Sequence, residues 1–535
     1  MYNLNSKTSV EVLQTSAQGD KLSRRPNIIF GGGVAEGNVI NVLPGNLKQT
    51  LSGIGASFTE SSAFVLAHLT SEQRNDVMQQ IFSKHGANFS LARTHIGSCD
   101  FCVEGHYSYA EVAGDTDLHS FSIAPDQDGF KAESYPGIRD ESFDLLPMIQ
   151  LAQAIKSVQA DNELKIVASA WTAPPWMKDN QSWHNPGTPE NNFEGSGGIL
   201  KPESESVYAD YLIKYLEAYR SEGVDIWGLT PVNEPRGNNG SWESMHFTPE
   251  SQGSFIKKHL GPKLTEKGYL DVNLLFYDHN TLELEEWADE ILGDTETSQY
   301  VYGSAVHWYE STSKVFGDVF DRVHEKFPEF PIIHTEGCID DLGNDAGPGI
   351  LDPIKFKETG WFDNDAFWWN ENATDWAYTA DWPFVKIDDH PIYAPVHRYA
   401  RHIITGMNHW LSGWIDWNIV LDKRGGPNHV GNYCGAPIMI DTDSGYVYYT
   451  PVFSILSQFS RTIRPGDVVV ETCLNLDSEL ESALIASASI SPQKKLSVQV
   501  FNSGNVPLEY ALQLGEQCAE VTIPANALQT LVIQL

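Results

Sequence analysis

No stretch of this chain approaches the roughly 20 consecutive apolar residues that a membrane-crossing helix needs, so no integral membrane segment is expected. Positive charge is also scarce. Lys and Arg number 35 against 71 Asp and Glu, a formal net charge of −36. Phosphate backbones are held by basic patches, so nucleic acid is not an expected partner. The same excess disfavours an anionic membrane surface, and the acidity reads as a solubility feature. Cysteine is sparse: Cys99, Cys102, Cys338, Cys434, Cys473 and Cys518 are too few in 535 residues for a disulfide scaffold. Cys99 and Cys102 form one CxxC without a second pair and read as packing thiols. No His/Asp/Glu cluster has ligand spacing, so neither a metal nor another cofactor is expected. The N-terminus, Met1 to Lys7, lacks the charged-then-apolar pattern of a secretory signal. A cytoplasmic protein fits this, and so does a secreted or periplasmic one whose signal has been removed. There is no internal repeat and no low-complexity tract.

What is present is an ordinary apolar content of 41%, with 11% aromatics, which marks a folded globular chain. Eight apolar or β-branched runs punctuate the middle of it: 53–58, 88–96, 165–171, 226–234, 274–280, 301–308, 331–336 and 410–417. Near-continuous apolar character suits strands buried on both faces, as in a parallel sheet. Helical signals lie between the runs. The segment from Thr70 to Gly86 opens on a capping box (Thr70, Gln73) and closes on glycine. From Glu203 to Gly223, Tyr208, Tyr211, Leu212, Tyr215, Leu216 and Tyr219 recur at spacings of three and four, which makes one apolar helix face. Long polar stretches around 104–140 and 180–203 read as loops over a barrel mouth. After about residue 445 alternating runs at 468–473, 484–490, 496–501 and 529–535 predict a small antiparallel β domain. Strand-like 10–13 and 38–43 precede the barrel. The expected fold is therefore a (β/α)8 TIM barrel with an attached antiparallel β-sandwich formed by both chain ends. Its divisions are 1–47 for the N-terminal sandwich strands, 48–445 for the barrel and 446–535 for the C-terminal sandwich.

Two of the runs end in a glutamate. Glu234 closes Ile226 to Pro235, and Glu336 closes Pro331 to Gly337. In a (β/α)8 barrel the carboxyl ends of the strands are where chemistry collects. The two lie 102 residues apart, about three βα units, which assigns them to the fourth and seventh strands, facing across the mouth. Cutting a glycosidic bond needs two such carboxyl groups, one to protonate the leaving oxygen and one to attack or to activate water. The chain reads as a glycosidase.

Several further stretches carry a resemblance. They are Leu51 to Glu60, Ser98-Cys-Asp-Phe101, Ala168 to Lys178, Asn233-Glu-Pro235, Ala305-Val-His-Trp-Tyr309, Thr335-Glu-Gly-Cys338, Gly413 to Asn418 and Gly425 to Asn432. In this order they resemble glycoside hydrolase family 30, and within it the glucosylceramidase type, over about residues 50–465. The resemblance implies a retaining double displacement with Glu234 as acid/base and Glu336 as nucleophile. Glu234 then has to start with a proton, which burial and a neighbouring negative charge favour. Retention puts the two carboxyl groups about 5–5.5 Å apart. The family pattern further implies that Asp100 and Trp171 bond ring hydroxyls, that Asn233 holds the 2-hydroxyl, and that Trp417 and Asn432 complete the glycone pocket. It places Trp308 and Tyr309 along the mouth. After Ser98 to Phe101 the glucosylceramidase pattern carries an arginine and two tyrosines; here Cys102 to Tyr109 keeps Tyr107 and Tyr109 without the arginine. That loop flanks the leaving group, so the aglycone preference is left open.

Each residue also has a plainer reading. Trp171 and Trp417 suit a core as well as a pocket. His307 reads as an orienting or packing residue, and Asp416 as either structural or functional. Arg93 either orients a catalytic carboxylate through charge-assisted bonds or balances buried charge. The expected substrate is a carbohydrate or glycolipid: a glucosylceramide-like lipid, a β-1,6-glucan, or a small aryl or alkyl β-glucoside or β-xyloside. A carbohydrate-binding barrel without catalysis is the competing class, but such a loss usually substitutes one of the two glutamates.

Overall fold

The computed structural model describes residues 8–160, 163–184, 197–236, 242–340, 361–373, 387–478 and 480–535. Eight parallel strands close into a barrel: β1 (Gly53–Ser57), β2 (Leu91–Ile96), β3 (Lys165–Ala170), β4 (Gly228–Thr230), β5 (Asn273–Asn280), β6 (Gly303–His307), β7 (Ile332–Glu336) and β8 (Leu411–Asn418). Each falls within or across one of the eight apolar runs. Every residue of β1, β2, β6, β7 and β8 is buried, as expected of strands covered on both faces. Leu91, Val167, Leu275, Ala305, Ile333 and Ile415 form a cluster separate from the main core, one residue from each of six strands. They fill the barrel's interior, so the mouth opens above packed side chains and not above a pore. β1 meets β2 at Gly55 opposite Leu91, where an added Cβ would lie 1.7 Å from the Leu91 carbonyl oxygen. No residue with a side chain fits there.

β4 is much shorter than its apolar run. It stops at Thr230 because Pro231 has no N–H for the ladder, so the chain reaches Glu234 through an irregular turn. Helix α1 (Ser71–Phe82) starts on the expected capping box but ends before an extended Ser83, which lies three residues short of the predicted glycine. Helix α2 (Glu205–Ser221) buries Tyr208, Tyr211, Leu212, Tyr215, Leu216 and Tyr219 as its periodicity predicted. The 104–140 stretch is largely irregular; much of the 180–203 stretch lies outside the described residues.

The two chain ends share a ten-stranded sheet. Ser9–Ser16 pairs with the last strand, Ala527–Gln534, with Glu11 opposite Val532, and Val39–Thr50 pairs with Val468–Asn475. Two features were not read from the sequence. A hairpin, Leu508–Leu514 with Gln517–Ile523, joins the sheet, and its first strand runs parallel to Val39–Thr50. Helix α3 (Pro451–Thr462), capped by Thr450, sits between barrel and sheet. Its Ser460 hydroxyl donates to the Asn88 carbonyl on the barrel side, while Gln458 accepts from Thr15 and donates to Thr530 in the sheet. Among the described residues no helix is long and apolar enough to cross a membrane.

Candidate active site

Three strand ends at the mouth break register. Against β6, His334 lies opposite Val306 but Glu336 lies opposite His307, which leaves Thr335 over. Between β5 and β6 the leftover residue is Asp278, and between β8 and β1 it is Trp417. Such bulges re-aim side chains off the pleat. Tyr277 and Asp278 accordingly have φ of +75° and +67°. Glu234 also sits at a positive φ, +48°, and its N–H donates to the Asp278 carbonyl at 2.9 Å. A left-handed non-glycine residue costs on the order of 1–3 kcal/mol and persists only where its surroundings fix it.

The re-aimed groups converge on a buried charge network. Arg93 of β2 donates from Nη1 to Glu336 at 2.6 Å, and from Nη2 to Asp278 at 2.8 Å and Asn233 at 2.7 Å. Asp278 is the hub: Thr335 donates to its Oδ1 at 2.7 Å, and His307 Nε2 lies 3.0 Å from the same oxygen. His307 Nδ1 lies 3.1 Å from Glu234. Burial works against the Asp278 charge, but Arg93, His307 and Thr335 outweigh it and hold that carboxyl far below its usual range. Tyr309 donates its hydroxyl to the second oxygen of Glu336 at 2.9 Å. The two glutamates are thus joined in one chain of contacts, from Glu336 through Arg93, Asp278 and His307 to Glu234. After Glu336 the backbone must pass tightly: a Cβ on Gly337 would lie 2.7 Å from the Trp308 ring.

Beside the network, Trp171 and Trp417 stack at 5.1 Å, with the Arg93 guanidinium 4.8 and 5.6 Å from their ring centres. They share an apolar cluster with Phe101 and Cys338, against which Tyr309 and Trp242 pack. Asp100 accepts from the side-chain amides of Asn432 at 3.2 Å and Asn428 at 3.3 Å. Burial, and then the Glu336 charge, push the Asp100 carboxyl up to about 8 despite those bonds. Aromatic faces beside polar edges suit a pyranose.

The model of the glycosyl hydrolase family 30 TIM-barrel domain matches residues 51–379 and 386–463. The chain belongs to glycosyl hydrolase family 30. It is 27% identical over 500 residues to the lysosomal acid glucosylceramidase of Mus musculus, covering 92% of this chain and 83% of that protein. It is 26% identical over 466 residues to an endo-1,6-beta-D-glucanase of Neurospora crassa, covering 85% and 80%. The crystal structure of SrfJ from Salmonella typhimurium superposes with a TM-score of 0.78 at 23% identity, covering 98% of this chain and 100% of that one. The protein is a glycoside hydrolase acting on carbohydrate.

Within this family 30 site, two of the named residues sit elsewhere than the mouth. Trp308 follows inward-facing His307 on β6 and so points outward. It packs behind the barrel wall against Tyr399, His402 and Trp414, with the Arg398 guanidinium 4.1 Å from its ring. Asp416 is buried and accepts from the Tyr399 hydroxyl at 2.6 Å, which ties β8 to the outer helix Pro395–Asn408. Asp278 and His279 were missed by sequence reasoning, although a polar pair at the end of the apolar run 274–280 was the available signal. His279 Nδ1 lies 3.8 Å from Glu234.

The network of this family 30 chain predicts a pH-dependent stability. Burial pushes the His307 proton off, but the Glu336 charge and the contacts with Asp278 and Glu234 outweigh it and hold the ring at about 9. An unfolded imidazole titrates near 6.5. The stabilisation is therefore complete below about 6.5 and is lost as pH rises through about 9, where a neutral ring has one N–H for two acceptors; it amounts to a few kcal/mol in order of magnitude. Thermal unfolding midpoints measured from about pH 6 to about pH 10 should fall across this window in the parent protein and vary less in His307→Gln. Parallel curves would refute the charged ring.

Proposed function

We propose that this enzyme is a retaining β-glucosidase that works by a two-glutamate double displacement. One observation carries the proposal: the two strand-end glutamates have different surroundings. Glu336 receives two donors, Arg93 and Tyr309, which stabilise a carboxylate ready to attack. Among the described residues the Glu234 carboxyl has no arginine contact and meets histidines instead, His307 Nδ1 at 3.1 Å and His279 Nδ1 at 3.8 Å. In the first step Glu234 gives its proton to the glycosidic oxygen as the C1–O bond breaks and Glu336 bonds to C1. The Glu336 charge then disappears, so Glu234, now deprotonated, takes a proton from water as that water displaces Glu336. Two inversions leave a β product. Asn233, its carbonyl anchored by Arg93, keeps the amide N–H end for the sugar's 2-hydroxyl. Asp100, Trp171, Trp417 and Asn432 hold the remaining glycone edges, and Tyr309 adds a hydroxyl beside C1.

The test is to follow an aryl β-glucoside by proton NMR from the first turnovers. β-glucose should appear first and mutarotate afterwards. An α anomer appearing first would refute the mechanism, and absence of turnover would leave a sugar-binding barrel.

The likeness to a glucosylceramidase supports a β-glucosyl lipid as substrate. A second reading, β-1,6-glucan, is favoured by the lost arginine between Cys102 and Tyr109 and by the likeness to an endo-1,6-beta-D-glucanase. The net charge of −36 also suits a soluble substrate better than an anionic membrane. Parallel assays on glucosylceramide micelles and a β-1,6-glucan, with products sized, separate the two.

A further inference from the structure

Outside the glycone pocket, three loops assemble a second set of ligand-type side chains. His106 comes from the loop after β2, Glu243 from the stretch after β4, and His429 from the segment after β8. One potential ligand atom from each lies within 4.8 Å of the others. Glu243 is fully buried, and its Oε1 accepts from His106 Nδ1 at 2.8 Å and from the Ser98 hydroxyl. His429 Nδ1 lies 3.2 Å from the Cys102 carbonyl oxygen, which can only accept. That contact places a proton on Nδ1, so in the neutral ring the lone pair is on Nε2. Nε2 is buried, has no hydrogen-bond partner among the described residues, and faces Glu243 Oε2 at 3.6 Å in a ring only 10% exposed. A lone pair facing a carboxylate in a buried place is unfavourable, and a metal ion bound by both groups, like a second proton on the ring, relieves it.

We propose that His106, Glu243 and His429 bind one divalent transition-metal ion, with Zn²⁺ the best match, at the rim of the active site. Two imidazoles and one carboxylate suit zinc, whereas calcium and magnesium take oxygen ligands. The supporting shell is in place: Cys102 orients His429, Ser98 orients Glu243, and Trp183 stacks on the His106 ring at 5.4 Å and 13°. His184, whose ring centre is 5.8 Å from that of His106 and whose buried Nδ1 has no hydrogen-bond partner among the described residues, stands beside the trio. On binding, His106 would ligate through Nδ1 and move its proton to Nε2, so no proton need be lost. Among the described residues, the two other groupings of this kind are already engaged. His95 Nε2 accepts from the Glu60 N–H and its Nδ1 contacts the Gly97 carbonyl, while burial pushes the neighbouring Cys99 thiol up to about 12. In the grouping of Glu234, His279 and His307, both ring nitrogens of His307 are taken.

The ion has no part in bond cleavage. It ties together the loops that carry the glycone contacts, since the His429 N–H donates to the Asp100 carbonyl at 3.2 Å, and Asn428 and Asn432 lie in the same segment. The full chain, stripped with EDTA and titrated with Co²⁺ and then Zn²⁺, should bind one equivalent. Bound Co²⁺ should give visible d–d bands without a thiolate charge-transfer band. His106→Ala, at a partly exposed ring, and His429→Gln should each weaken binding by about 100-fold or more and abolish the zinc-induced rise in unfolding temperature. Glu336→Gln should bind zinc as the parent protein does, so the outcome is separable from the proposed hydrolysis. Absence of binding, undiminished affinity in His106→Ala, or a thiolate charge-transfer band pointing to Cys99 and Cys102 would overturn the proposal.

Discussion

Glu336→Gln is expected to lower kcat on every β-glucoside by roughly 10⁴-fold or more. Glutamine fills the same space, and its carbonyl oxygen can still accept from Arg93 while its NH2 end faces the Tyr309 hydroxyl oxygen, which can accept, but it carries no charge and makes no ester with C1. The loss should not depend on the leaving group, because both steps run through this carboxylate. Misfolding is a poor alternative explanation. Arg93 keeps its bond to Asp278 at 2.8 Å and its bond to Asn233 at 2.7 Å, so the buried guanidinium is not orphaned when Glu336 is neutralised. The variant should therefore unfold cooperatively and still bind a glucose-derived inhibitor by calorimetry while failing to turn over. A residual kcat within tenfold of the parent enzyme would remove Glu336 from the nucleophile's place.

The barrel was legible because its signal is continuous: strands buried on both faces leave near-unbroken apolar runs, and all eight were visible. The sheet formed by the chain ends was legible in part. Leu508–Leu514 and Gln517–Ile523 were missed because Glu509, Gln513, Glu520 and Thr522 interrupt their apolar residues, and helix α3 because a twelve-residue segment buried almost all round shows little periodicity. At the site, Glu234 and Glu336 announced themselves as strand-end carboxylates, but the network between them did not. Asp278 looks like any polar residue near a strand end until a bulge turns it inward, and bulges leave no local composition. Trp308 shows the converse. Its motif places it beside His307, yet alternation on β6 sends the two side chains to opposite faces, one to the network and one to the outer packing. The trio of His106, Glu243 and His429 was invisible for a third reason. Its members are separated by more than a hundred residues each, so no spacing rule reaches them.

Glu234→Gln should separate substrates by leaving group. For an alkyl β-glucoside, kcat/KM should fall by about 10²–10⁴, the usual worth of a positioned acid, because the departing alkoxide needs a proton. For a dinitrophenyl β-glucoside, kcat/KM should change less than about tenfold, since a stable phenolate leaves unaided. Its kcat should nevertheless drop, because the second step still lacks a base for water, and a burst of dinitrophenolate should precede a slow steady state. Geometry makes the substitution clean: glutamine keeps an oxygen to face His307 Nδ1 at the 3.1 Å position and leaves the Glu234 backbone bond to Asp278 untouched. The side chain should therefore hold its place, and the kinetic split reports the missing proton and not a displaced group. Equal losses on the two substrates, or no burst with the activated one, would mean that the leaving oxygen takes its proton from another residue.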